Sequence, residues 1–198
     1  MGMNYIDKSV QGIRQCRVGY FSVLLADVIL GKNVQIGNHV TVYPGTVIGD
    51  RVIIGDNCTL GAQPRLFDTS GEKASGVLRP LRIGADTIIG SGAVICAGVA
   101  IDEHVWIGDL TCIKEKCRIK KQVIIGPGVF IESGVNLGEG AQIQTRVYLS
   151  AHTDIADGVF IGPMASVLHD KVIVGRGAFV HGGAKIITGV EPGAVVMP

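Results

Sequence analysis

Aromatic residues are scarce in this chain: one tryptophan, four tyrosines and five phenylalanines among 198 residues. A core built on large rings is thereby excluded, and whatever fills the interior must be aliphatic. Charge is sparse as well. Lysine, arginine, aspartate and glutamate make up 18% of the chain and nearly cancel, to a net +1. That balance leaves no basic footprint of the kind nucleic-acid binding needs. No window approaches eighteen unbroken apolar residues, so the positive mean hydropathy does not signal a membrane span. The N-terminus lacks the lysine- or arginine-led apolar segment of a secretory signal. Cysteines number five, an odd count that suits reduced thiols better than a disulfide framework or a metal site. These absences predict one cytoplasmic domain with neither a nucleic-acid nor a membrane partner.

What the chain has in quantity is regularity. From Ile83 to Val167 every sixth residue is apolar: Ile83, Ile89, Ile95, Ile101, Ile107, Ile113 and onward through Ile161, fifteen matches without a slip. Four residues after these markers stand small or β-branched residues such as Thr87, Ala93, Val99, Val105 and Cys117. A fixed internal period decides the fold before local propensity does. A helix repeats its buried face at three and four residues, and a lone strand alternates in twos. Two inward side chains followed by a corner, then the same again, describe short strands coiling into a parallel β-helix. The corners call for residues tolerant of positive φ, which accounts for the interspersed Gly, Asn and Asp. Cys58 and Cys117 fall on inward positions and read as core thiols.

The pattern of an aliphatic residue, a Gly, Ala or Asp, two free positions and a small residue resembles the hexapeptide-repeat acyltransferases. Within them the chain is most similar to bacterial sugar and sugar-nucleotide N-acetyltransferases. The residues that carry this likeness are Ile107-Gly108-Asp109-Leu110, Ile143-Gln144-Thr145-Arg146-Val147-Tyr148 and Asp157-Gly158-Val159-Phe160-Ile161-Gly162-Pro163. The resemblance implies an all-β, left-handed coil with three hexads, eighteen residues, per rung. It also implies a homotrimer, with acetyl-CoA as co-substrate, no metal, and an amino sugar or nucleotide sugar as acceptor.

Taken in order, residues 1–17 carry no repeat and are expected to cap the coil. The β-helix domain spans 18–198 with about eight rungs, interrupted by an excursion over 62–82 that has no hexad markers. Excursions of this length are usually functional or disordered, and the resemblance implies that this one leans over a neighbouring subunit. The register slips by one residue between Val167 and Val174, at Leu168-His169-Asp170-Lys171.

The aliphatic interior leaves chemistry to the outside. His39 and His104 lie on outward corners, and His181 follows a core position in a glycine turn. With eighteen residues per rung, the column through His152 reads Gly98, Lys116, Gly134, His152, Asp170. Gly134 leaves an open notch beside the imidazole, and Asp170 would orient a ring nitrogen. That pair suits a general base, although the register slip leaves His169 as the other candidate. Backbone amides at Gly162 or Ala165 would meet the oxyanion. Lys171, Arg176 and Lys185, with the Gly183 turn, would hold the cofactor phosphates. Other readings remain open at this stage: O-acetylation of a sugar or small alcohol, a non-catalytic scaffold, and a γ-class carbonic anhydrase. The last needs three histidine ligands, two of them close together, and the chain offers no such pair.

Overall fold

The computed structural model describes residues 3–64 and 76–198. The six-residue period becomes two-residue strands, each ending on one of the stacked aliphatics, as in Val23–Leu24, Ile29–Leu30 and Gln35–Ile36. A strand pairs in parallel with the one eighteen residues on, Trp106 with Ile124 and Ile107 with Ile125. Three sheets result. The first has ten strands, from Tyr5–Ile6 to Lys185–Ile186; the second has eight, from Ile29–Leu30 to Ile173–Val174; the third has ten, from Arg17–Val18 to Val195–Val196. The chain runs from first to second to third sheet and back, so its corners build three edges. The edge joining the first sheet to the second is called the first edge below.

About ten rungs stack, where the sequence led us to expect eight, giving a prism about 45 Å tall at the ordinary strand spacing. The difference lies at the two ends. Tyr5–Ile6 pairs with Val23–Leu24 inside the segment expected as a cap, and Val195–Val196 pairs with Phe179–Val180 beyond Pro192. Strands of two residues leave a single marker each, and at a chain end no neighbouring repeat reveals it.

Side chains of the inner columns are wholly removed from water; Ile107, Ile125 and Ile143 are 0% exposed. Cys58 and Cys117 point inward among them, as their place in the period implied. Burial pushes the Cys117 thiol up to about 12 and that of Cys96 to about 11, and all five cysteines are free. Such thiols stay protonated and behave as small hydrophobes. Among the described residues no helix is long and apolar enough to cross a membrane.

Corners follow a common plan. Their third residue is left-handed, at φ 55° for His39, 62° for Lys116 and 57° for His152. Their second residue has an amide that no strand uses, and at several corners a carboxylate one rung up accepts it. Asp50 accepts from Lys32 at 2.7 Å, Asp109 from Ser91 at 2.7 Å and Asp157 from Glu139 at 2.9 Å. An acceptor placed over an otherwise orphaned donor is the physical reason for aspartate at these points.

Candidate functional site

The first edge gathers most of the chemistry. Gly98, Lys116, Gly134, His152 and Lys171 form one left-handed column along it. His152 donates its amide to Ser133 at 2.9 Å, and Lys171 donates to Ala151 at 3.0 Å. The residue stacked above His152 is therefore Lys171, and Asp170 stands over Ala151. The cause is a five-residue corner: Asp154 pairs with Ile173, whereas Tyr148 in the preceding strand pairs with Ser166. Asp170 instead accepts a hydrogen bond from the Ser150 hydroxyl. His152, His169 and Asp170 thus share an edge, as the rung length required, but the carboxylate does not hold the imidazole.

Gly134 does. A β-carbon built on it would lie 2.4 Å from His152 Nδ1 and 2.8 Å from Cε1. The ring occupies the space a side chain at 134 would need, with its Nδ1–Cε1 edge turned to the glycine. The second-position amides beside it, those of Ser133 and Ala151, donate to nothing among the described residues. At the corners of the other two edges named above, aspartates cover the equivalent amides. Here no carboxylate does, and two N–H groups remain open beside an exposed imidazole.

The remaining expected residues are scattered. The amides of Gly162, Ala165 and Gly183 lie on the edge between the third and first sheets, and all are engaged: Gly162 with Val180 at 2.8 Å, Ala165 with Gly162 at 3.2 Å, Gly183 with Pro163 at 2.9 Å. Gly162 and Ala165 have no hydrogen left for an oxyanion, nor has Gly183 for a phosphate. Arg176 sits on the edge between the second and third sheets and pairs with Asp157 at 3.0 Å. There the Glu139 amide, helped by Lys120 and Arg176, holds the Asp157 carboxyl below the usual carboxylate range. Lys185 points outward from the first sheet beside Ser166. Lys171, Arg176 and Lys185 therefore do not converge. Of the other histidines, His39 stacks on Phe21 at 5.2 Å and His181 lies edge-on to Phe179 at 5.0 Å.

Two further features have no mark in the sequence. Glu115, one residue before Lys116, is buried to 8% exposure, and its Oε2 meets no hydrogen-bond partner among the described residues. A second corner residue normally faces water, so nothing in the period marks it. The other feature is a pair of adjoining grooves on the second sheet that share Ala100 and Arg118. One, of 530 Å³, is lined by Arg79, Arg82, Lys116 and Arg118; the other, of 520 Å³, by Asp102, Lys120, Asn136, Asp154 and Asp157. The stem of the excursion closes beside the basic groove, where Leu78 and Gln63 exchange hydrogen bonds of 3.0 and 3.1 Å. Most of the excursion expected to reach a neighbouring subunit, residues 65–75, lies outside the described residues.

Comparison with known proteins agrees with this architecture. Residues 33–63 match the family model for the bacterial transferase hexapeptide (six repeats), and residues 80–108 that for the hexapeptide repeat of succinyl-transferase. The chain belongs to the hexapeptide-repeat superfamily. Among curated relatives, this hexapeptide-repeat protein is 31% identical to the bifunctional protein GlmU of Geobacillus sp. (strain WCH70), over 86% of its own length and 39% of that relative's. It is 33% identical to GlmU of Geobacillus thermodenitrificans over 85% and 38%. The chain thus spans about two fifths of the curated relatives it matches. Among solved structures, LpxA from Acinetobacter baumannii superposes with a TM-score of 0.69 at 19% identity, covering 96% of this chain and 67% of that one. The UDP-N-acetylglucosamine acyltransferase of Francisella novicida gives 0.62 at 21%, covering 94% and 62%. Those two likenesses establish the coil.

Proposed function

We propose that this hexapeptide-repeat protein transfers an acyl group from a thioester to a sugar nucleotide, with His152 as the general base. One observation carries the reading. An exposed imidazole is seated on Gly134 beside two unengaged amides, on the edge where the excursion leaves the coil. The solved structure from Francisella novicida, which shares the coil, is by its own description an acyltransferase acting on UDP-N-acetylglucosamine. The finer reading is acetyl transfer from acetyl-CoA to an amino group. The amine nitrogen attacks the thioester carbonyl carbon, and His152 Nε2 takes the proton as the C–N bond forms. The amides of Ser133 and Ala151 donate to the oxyanion of the tetrahedral intermediate. That intermediate collapses by breaking the C–S bond, and the proton held on the imidazole goes to the departing thiolate. An amide and a free thiol are the products. Such a donor and five unpaired thiols suit the cytoplasm.

The test is thiol release from acetyl-CoA in the presence of a UDP-linked amino sugar. His152→Gln is expected to lower kcat by about 10²–10⁴-fold, the ordinary worth of a positioned base. His169→Gln is expected to leave the rate within a factor of two or so. If His152→Gln keeps its rate, the base is elsewhere and this reading fails.

A trimer belongs to the same reading. The third sheet presents an outward apolar column, with Ile53, Ile88, Trp106, Ile124 and Phe179 each about two fifths exposed. An unpartnered apolar face of this kind favours association. Trp106→Glu places a charge in the middle of it, and light scattering should then report monomers. A trimer that survives the substitution assigns the contact to another face.

A further inference from the structure

We infer that the basic groove on the second sheet is a subsite for the diphosphate of a nucleotide. The inference rests on the transfer reading and adds to it where the phosphates lie. Arg79, Arg82, Lys116 and Arg118 all line a groove of 530 Å³, and among the described residues no aspartate or glutamate lines it with them. The whole chain has 18 lysines and arginines and a net charge of only +1. Four of those cations in one groove are thus a local concentration rather than part of a generally basic surface.

Their arrangement suits an anion. Arg82, Ala100 and Arg118 are successive outward residues on the second sheet. The two arginines stand two rungs apart, about 10 Å at the backbone, with an alanine between them. The small residue leaves a floor over which two guanidinium groups can close from opposite sides. Arg79 and Lys116 flank that floor from the stem of the excursion and from the corner. Among the described residues, the four ion pairs use Arg51, Lys120, Lys121 and Arg176, and none uses these four cations. Like charges held together without a counter-charge repel one another, and a bridging phosphate removes that repulsion. Arginine is also the side chain whose fork fits a phosphate by two parallel hydrogen bonds.

The adjoining groove gives the remainder of such a ligand a place. It continues from Ala100 and Arg118 to Asn136 and Asp154, which are hydrogen-bonded at 2.5 Å. Asp154 is two residues along the chain from His152. A diphosphate clamped between Arg82 and Arg118 would extend a sugar along this polar floor towards the imidazole. The same diphosphate chemistry occurs in coenzyme A, so the test must separate the two sources.

Titration calorimetry of the full chain with UDP, with coenzyme A and with inorganic pyrophosphate does so, using wild type and the double variant Arg82→Gln/Arg118→Gln. All of these side chains are outward-facing, and a thermal melt confirms that the variant keeps its fold; Arg79→Gln/Lys116→Gln serves if it does not. Affinity for pyrophosphate is expected to fall about 100-fold, one decade or so for each lost charged hydrogen bond. A matching loss for UDP with coenzyme A unchanged assigns the groove to the sugar nucleotide, and the reverse assigns it to the acyl donor. Unchanged binding of all three ligands, or no binding by the wild type at millimolar concentration, overturns the inference. The transfer assay keeps the two readings apart. Transfer with an unaltered KM for the nucleotide sugar in the double variant sinks the subsite alone. Arginine-dependent UDP binding without any transfer sinks the transfer reading alone.

Discussion

Ile125→Ala is expected to lower the unfolding free energy by about 2–5 kcal/mol, the range for emptying an aliphatic site in a core that cannot collapse. Ile125 is 0% exposed and lies between Ile107 and Ile143 in the inner column of the third sheet. Neighbours above and below are fixed by the strand spacing, so little can move into the space. The same substitution at Ile186 provides the contrast. Ile186 is 3% exposed but ends the inner column of the first sheet, with Val167 on one side only. A coil is stabilised by contacts between adjacent rungs, so Ile186→Ala should cost clearly less than Ile125→Ala. Urea unfolding with an unchanged slope measures both. Equal losses at the two positions mean that the interior is not a stack of nearest neighbours.

The coil was legible because one spacing repeats. Each inner aliphatic must lie over the one eighteen residues earlier, and any drift would put it into solvent, so the period survives substitution of everything around it. The site was legible only where it inherits that spacing. Gly134 beneath His152 followed from the rung length alone. Asp170 did not, because one inserted residue in the corner after Val167 moves every later residue by one place and puts Lys171 into the column. The engagement of the amides expected to serve as donors escaped the sequence for a different reason. Whether a corner amide is free depends on what sits over it, and the engaged hydrogens of Gly162, Ala165 and Gly183 have no signature in their own residue types. The basic groove was beyond reach altogether. Arg79 lies in the excursion, where the period is suspended, and only the rejoining of the coil at Arg82–Ile83 brings it beside Lys116 and Arg118. Glu115 belongs to the same class: its burial comes from three-dimensional cover at a position that the repeat assigns to water.

Gly134→Ala tests the seat of the imidazole, and Gly140→Ala is its control. Both glycines are third corner residues with left-handed backbone, at φ 71° and 66°. Alanine costs about 1–2 kcal/mol in that conformation wherever it occurs, so both variants should lose stability by similar amounts. Their surroundings differ. A β-carbon at 140 meets nothing within 4 Å, whereas one at 134 comes within 2.4 Å of His152 Nδ1. The side chain of His152 is exposed and able to rotate, so the clash is relieved by swinging the ring out of its notch rather than by unfolding the edge. A base displaced by an ångström or more loses on the order of 10²-fold in rate. Gly134→Ala should therefore lose transfer activity by about that factor with its melting temperature close to that of Gly140→Ala, and Gly140→Ala should retain wild-type kcat. An NMR titration of the His152 ring protons adds a readout that stability alone does not move, since only Gly134→Ala takes the ring away from its glycine floor. If the two variants keep equal rates, the notch is merely where an idle corner histidine rests, and the base must be sought at His169, one rung above on the same edge.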